Sequence, residues 1–196
     1  MKILCVSDLH HSEELAKSVS EVIKKENIDV FVSAGDFVSD QFAKNVLDRM
    51  KVRSFVVHGN WDTNIKTDNK KVSILMNEVE EYCGYYFFGI DDRFALDEEI
   101  FDLIKDKPMD KVIIISHSPP YGILDATWGG MNVGFPIYRE FLENNEGVIH
   151  VCGHIHESAG YILYKKNIII NSAVIYTKKG YIIELPSRDV REVSLE

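Results

Sequence analysis

Cysteine, proline and tryptophan are scarce in this 196-residue chain, at three, five and two residues. The three cysteines, Cys5, Cys83 and Cys152, are odd in number and form no C-x-x-C pair, and two lie inside apolar runs. That excludes a disulfide framework and a cysteine-based zinc site, and leaves reduced core thiols. Long hydrophobic runs are also missing. No stretch approaches the roughly 20 apolar residues of a membrane span, and Met1 to Val6 is too short for a signal-peptide core. The cytoplasm is therefore the expected location, with no membrane partner. Positive charge is in deficit too, with 22 Lys and Arg against 31 Asp and Glu and a net charge of −9. Duplex nucleic acid, which needs a broad basic footprint, is accordingly not an expected partner. With no repeat, linker or low-complexity segment, residues 1–196 are expected to form a single domain.

What is present is an alternation of short apolar runs and amphipathic segments. Ile3–Val6 reads as a buried strand. Ser12 reads as an N-cap, with Glu13 and Glu14 in the first turn, Leu15, Val19, Val22 and Ile23 at helical spacing, and Lys24 and Lys25 at the end. The unit repeats with a strand over 28–32 and a helical face of Phe42, Val46, Leu47 and Met50. Strands follow at 52–57, 85–90, 112–115 and 148–152. The stretch 72–76 reads as a short helix or a loop, Asp97 caps a helix stopped by Pro108, and Pro136 opens another. Closing strands are expected at 161–163, 167–170 and 181–185.

Five of the apolar runs end in a short polar group: Asp8-Leu9-His10, Gly35-Asp36, Gly59-Asn60, His117, and Gly153-His154-Ile155-His156. In an α/β sheet the loops beyond the strand ends converge on the ligand site. Collected there, Asp8, His10, Asp36, Asn60, His117, His154 and His156 mix carboxylate, amide and imidazole donors. That mixture suits Mn²⁺, Fe²⁺ or Zn²⁺ better than Ca²⁺ or Mg²⁺, which prefer all-oxygen shells. Seven ligands exceed one catalytic ion. A carboxylate shared by two ions about 3.5 to 4 Å apart removes the excess and suits in-line displacement at phosphorus.

The ordered set resembles the calcineurin-like metallophosphoesterase superfamily, from Asp8 to about Asn171. The resemblance implies a four-layer αββα sandwich, with Asp8, His10, Asp36 and His156 on one ion, Asp36 bridging, and Asn60, His117 and His154 on the second. It implies two divalent transition-metal ions, most readily Mn²⁺ with Fe²⁺, Ni²⁺ or Zn²⁺ as alternatives, and attack on phosphorus by a metal-bridging hydroxide with Asn60 orienting the phosphate. The segment His117 to Asp125 and the run Cys152 to Glu157 resemble a small subgroup that includes phosphodiesterases acting on 2′,3′-cyclic nucleotides. A small phosphodiester or nucleotide is therefore the expected substrate, with a phosphomonoesterase or a non-catalytic scaffold as the alternatives, and a homodimer as a common state for enzymes of this size.

Two departures from the family pattern matter. Trp61 follows Gly59-Asn60 where the family commonly has the histidine that protonates the leaving oxygen, and indole cannot supply that proton. His11 is the first candidate to replace it and Asp62 the second. Ser39 stands where some members carry an acid three residues beyond Asp36. His58 and His150 read as structural. Trp61, Trp128 and Tyr121 read as core, interface or substrate-stacking aromatics.

Overall fold

A computed structural model of the protein describes every residue except Ala95. In chain order the strands and α-helices are β1 (Lys2–Cys5), α1 (Glu13–Lys25), β2 (Val30–Ser33), α2 (Asp40–Asp48), β3 (Arg53–Val56), β4 (Val72–Ile74), β5 (Glu78–Tyr82), β6 (Tyr85–Gly89), β7 (Val112–Ile115), α3 (Pro136–Asn144), β8 (Ile149–Cys152), β9 (Gly160–Tyr164), β10 (Asn167–Asn171), β11 (Lys179–Glu184) and β12 (Asp189–Ser194). They build two mixed six-stranded sheets, one ordered β12-β11-β1-β2-β3-β4 and the other β5-β6-β7-β8-β10-β9. The expected four-layer αββα sandwich is what forms.

Three apolar layers hold it together. Leu15, Val19 and Ile23 of α1 and Phe42, Ala43 and Leu47 of α2 pack on the outward side chains of the first sheet, such as Leu4, Phe31 and Val56. The alternate residues of the same strands, Ile3, Cys5, Val30, Val32 and Phe55, face the second sheet and meet Phe87, Ile113, Ile115, Ile149 and Val151. The Phe55 and Phe87 rings stack across that interface at 4.0 Å. Tyr138 and Leu142 of α3 close the outer face of the second sheet over Ile114 and Ile169. Strands buried on both faces explain why the parallel runs in the sequence are continuously apolar rather than alternating.

Local signals account for the helix starts. Ser12 and Ser39 each accept a backbone N–H of the first turn, from Leu15 and Phe42. Pro136 occupies the opening turn of α3, where its missing N–H costs nothing. The helix expected after Asp97 forms as a 3₁₀ helix over Glu98–Leu103, with Asp97 as its cap. The stretch 72–76 departs from expectation, since Val72, Ser73 and Ile74 pair in parallel with Ser54, Phe55 and Val56 as β4. Two edge strands escaped sequence reading, β5 (E-V-E-E-Y) and β12 (D-V-R-E-V-S). Edge positions tolerate charge, so their apolar signal is thin. Cys5 and Cys152 are buried thiols as expected, whereas Cys83 is exposed beside Gly84 in the β5–β6 turn.

The five polar groups follow the carboxyl ends of β1, β2, β3, β7 and β8, so three come from the first sheet and two from the second. They lie across the seam of the sandwich rather than along one sheet edge. Backbone bonds stitch the seam: Ser7 N–H donates to the Ser172 carbonyl and Val174 N–H to the Ser7 carbonyl, at 2.9 and 3.1 Å.

His150 lies in β8, fully buried, with Nε2 2.7 Å from the Ser116 hydroxyl and Nδ1 without a partner. Burial holds its pKa down to about 3. A histidine kept neutral by the fold contributes stability that is complete above its unfolded pKa of about 6.5 and is lost as pH falls from there toward the folded value. In urea unfolding, the stability advantage of wild type over His150→Gln should shrink by about 2 kcal/mol between pH 7 and pH 5. A gap that stays constant over that range would contradict a neutral buried imidazole.

Candidate metal centre

The backbone of the site is bent at three of its five polar groups. Asp8, His10, His11, Asp36, Val38 and His154 all have positive φ, between 44° and 74°. L-residues avoid this region, most of all a β-branched valine, and such strain persists where surrounding structure over-determines it. These bends lie in the loops that carry Asp8, His10, Asp36 and His154.

Three motif glycines permit the loops to close. A Cβ on Gly35 would lie 2.2 Å from the Gly59 nitrogen, one on Gly59 would lie 2.1 Å from Asp36 Oδ1, and one on Gly153 would lie 2.3 Å from both Asp8 Oδ2 and Ser7 Oγ. The Gly-Asp, Gly-Asn and Gly-His pairs are therefore a packing requirement: Gly35 lies against the backbone of the Gly59 loop, and Gly59 and Gly153 lie against the carboxylates of Asp36 and Asp8.

Asp62 fastens two of these loops. Its carboxylate accepts the backbone N–H groups of Asp36, Phe37, Val38 and Gly59 at 2.8 to 3.0 Å. Arg93 holds the same turn from the other side. It donates to the Asp62 and Thr63 carbonyls and pairs with Asp91. Asp62 thus commits its oxygens to the β2 and β3 loops, which is a bracing geometry rather than that of a proton donor. His11 is exposed, its ring 5.0 Å from that of Phe42. Ser39 caps α2, which accounts for its place in the chain without any role in the cleft.

The remaining residues converge. Asp8 Oδ1 lies 3.1 Å from His156 Nε2 and 3.8 Å from His10 Nε2, while Asp8 Oδ2 accepts the Ser7 hydroxyl and the His154 N–H. Asp36 Oδ2 lies 3.6 Å from His10 Nε2 and 3.5 Å from His117 Nε2, and its Oδ1 accepts the Trp61 N–H. Asn60 Oδ1 is 2.8 Å from His117 Nε2, and the His154 and His117 rings are 4.8 Å apart. Two groups can each hold an ion: Asp8 with His10 and His156, and Asp8 with Asp36 and His117.

The donor chemistry fits a cation. Nδ1 of His117 lies 2.7 Å from the Ala34 carbonyl, which can only accept, so that nitrogen carries the proton. In neutral His117 the lone pair on Nε2 then faces the Asn60 and Asp36 oxygens, an arrangement of acceptors that a positive charge must satisfy. His10 Nε2 is likewise buried and has no hydrogen-bond partner among the described residues. Without ions, protons take up part of this demand. Asp36 and Asp8 beside it raise the His10 pKa to about 9. Burial opposes protonation of His117, but Asp8, Asp36 and Asp92 overcome it and raise that pKa as well. Burial would raise Asp8, yet His10, His156, His117 and Ser7 hold it well below the usual carboxylate range. His154 is pushed down, by burial first and then by His117.

Sequence reading missed two contributors. Asp92, 7% exposed, accepts the Ser118 N–H at 2.7 Å and steadies the turn behind His117. Tyr176, in the turn after β10, sets its ring at 87° to that of His156 with 5.3 Å between centroids. Neither lies in a motif, and only the folded chain brings them to the cleft.

Substituting alanine for Gly59 or Gly153 should weaken Zn²⁺ affinity by 10- to 100-fold, the usual cost of displacing a ligand's support. Gly129→Ala, where the nearest atom is 3.8 Å away, should not. Competition with a chromophoric chelator measures all three, and equal affinities would show that the loops need not approach so closely.

Comparison with known proteins agrees with this geometry. The model of the calcineurin-like phosphoesterase family matches residues 1–158, which include all five polar groups. The UPF0046 protein K07C11.7 of Caenorhabditis elegans is 23% identical over 209 residues, covering 88% of this chain and 69% of its own. Among solved structures, TT1561 of Thermus thermophilus aligns with a TM-score of 0.73 at 11% identity, over 100% of this chain and 99% of that one. A novel archaeal phosphodiesterase aligns with a TM-score of 0.56 at 16% identity, over 98% and 99%. At such identities the structural likeness shows the fold. The family match, spanning most of the chain and every bend of the cleft, shows the kinship: the chain belongs to the calcineurin-like phosphoesterase family.

Proposed function

We propose that this family member is a phosphodiesterase with two divalent ions, acting on small or nucleotide-like phosphodiesters, and that residues 1–196 work as one metallophosphoesterase domain. The observation that carries it is the position of Asp36 Oδ2, 3.6 Å from His10 Nε2 and 3.5 Å from His117 Nε2. One carboxylate oxygen about equally far from two imidazole nitrogens supports its being shared by two ions. Asp8, His10, Asp36 and His156 would hold the first, and Asp36, Asn60, His117 and His154 the second. Imidazole donors on both sides favour Mn²⁺, with Fe²⁺, Ni²⁺ and Zn²⁺ close behind. Such ions supply an activated water at neutral pH and neutralise charge on the phosphoryl oxygens.

The protein's own groups do the rest. Ala34, through its carbonyl, fixes the tautomer and ring plane of His117. Asp62 and Asp92 hold the loops carrying Asp36, Asn60 and His117 at their spacing. Asn60, at the edge of the set, orients the phosphate through its amide. Trp61 cannot donate the leaving-group proton and Asp62 is engaged by backbone, which leaves His11, exposed beside the cleft loop, as the side chain for that step. With no proton donor at position 61, good leaving groups, aryl or strained cyclic esters, are favoured.

Metal-stripped protein should regain hydrolysis of bis-p-nitrophenyl phosphate on addition of Mn²⁺, Ni²⁺ or Zn²⁺ separately, faster than that of p-nitrophenyl phosphate. Asp36→Asn and His156→Ala should each lose more than about 100-fold, beyond the cost of outer-shell changes, with circular dichroism unchanged. Preference for the monoester would make it a phosphatase, and activity surviving in both variants would refute the shared-ion site.

A further inference from the structure

Two large aromatic side chains stand exposed at the cleft, and neither the fold nor the ion set accounts for them. Trp61 is 62% exposed although its backbone N–H is fixed on Asp36 Oδ1 and its neighbour Asn60 bonds His117. Tyr176 is also 62% exposed although its ring meets His156 edge to face. An aromatic side chain carries about 150 to 250 Å² of surface that normally goes into a core or an interface. Here the position of each is anchored and the ring is left in water.

Their positions are complementary. Tyr176 stands on the His156 side of the cluster, and from His156 the ligand set runs through Asp8 to Asp36. Trp61 is tied instead to Asp36, through its backbone N–H, and follows Asn60 in the chain. The two exposed aromatic residues are thus anchored at different members of the ligand set, Tyr176 at His156 and Trp61 at Asp36. A diester has two substituents on phosphorus, and they leave it in different directions. A monoester has one.

We propose that Trp61 and Tyr176 are stacking platforms for the two ester substituents, so that the site takes linear diesters bearing planar groups, of the kind found in a dinucleotide or an aryl nucleotide. The platforms presuppose the diester chemistry proposed above. Stacking of a base on an aromatic side chain is sequence-tolerant, because every base has a π-face. Selection would therefore fall on planarity rather than on base identity. It also gives Trp61 a reason to occupy a position where it cannot transfer a proton: the residue serves binding there.

The test uses ligands that cannot be hydrolysed. Diphenylphosphinate and dimethylphosphinate carry the same charge and the same phosphinate oxygens, and their substituents are joined through P–C bonds. Calorimetric titration of Zn²⁺-loaded protein should show diphenylphosphinate binding at least about tenfold tighter. Trp61→Ala and Tyr176→Ala should each reduce that ratio by roughly 5-fold or more, within the range of a single stacking contact. Trp61→Phe and Tyr176→Phe should retain most of it, and Trp61→Leu, apolar but not planar, should not. A ratio near one in wild type, a ratio unchanged in both alanine variants, or leucine serving as well as phenylalanine would overturn the platforms. Because nothing is cleaved, failure of the diester reading appears separately, as absent hydrolysis of bis-p-nitrophenyl phosphate beside an intact binding ratio.

Discussion

Asp8 and Asp36 are carboxylates with almost no solvent access, at 0% and 1% exposure, and both reach the same few ångströms of cleft. Two buried negative charges of this kind are tolerated only where positive charge and hydrogen-bond donors gather around them. Much of the local structure follows from that demand. Ser7 and the His154 N–H serve one carboxylate and the Trp61 N–H serves the other, while His10, His117 and His156 bring imidazoles to their free oxygens. The positive φ angles and the three glycines are the backbone conditions for assembling those donors in so small a space.

A second tier of residues keeps the first from relaxing. Asp62, Arg93 with Asp91, Asp92 with Ser118, and the Ala34 carbonyl touch loops rather than the cleft itself. Asp62 shows how a polar residue can sit inside a motif and still act through others. Burial raises its pKa, while the N–H groups it accepts pull the other way. Its position two residues after Asn60 marks the turn as surely as Asn60 does.

The parts of this design that were legible in the sequence are those where local chemistry is distinctive. Continuous apolar runs marked β2, β7 and β10, Ser12 and Pro136 marked helix starts, and the Gly-Asp, Gly-Asn and Gly-His pairs marked the cleft. The structure also explains why those glycines recur, which spacing alone does not, since each faces an atom of a loop distant in the chain. Edge strands β5 and β12 and the parallel strand β4 were hidden because much of their surface is solvated and their composition resembles that of loops. The distribution of the cleft over two sheets was hidden for a different reason. Strand order is a property of long-range pairing, and a polar group at the end of a strand looks the same whichever sheet receives it. Tyr176 and Asp92 belong to the same class of residue, brought into place by topology with no pattern around them.

The bond between Asp8 and His156 joins positions 148 apart in the sequence. Closing so long a loop comes late, because its entropic cost must be met before the contact gives anything back. A chain emerging from the ribosome holds Asp8, His10 and Asp36 early but lacks half of its imidazoles until β8 has been made and docked. A metal site built from these residues would therefore be completed late in folding. The last two imidazoles of the set follow β8, so the cleft is whole only once the two ends of the fold have met.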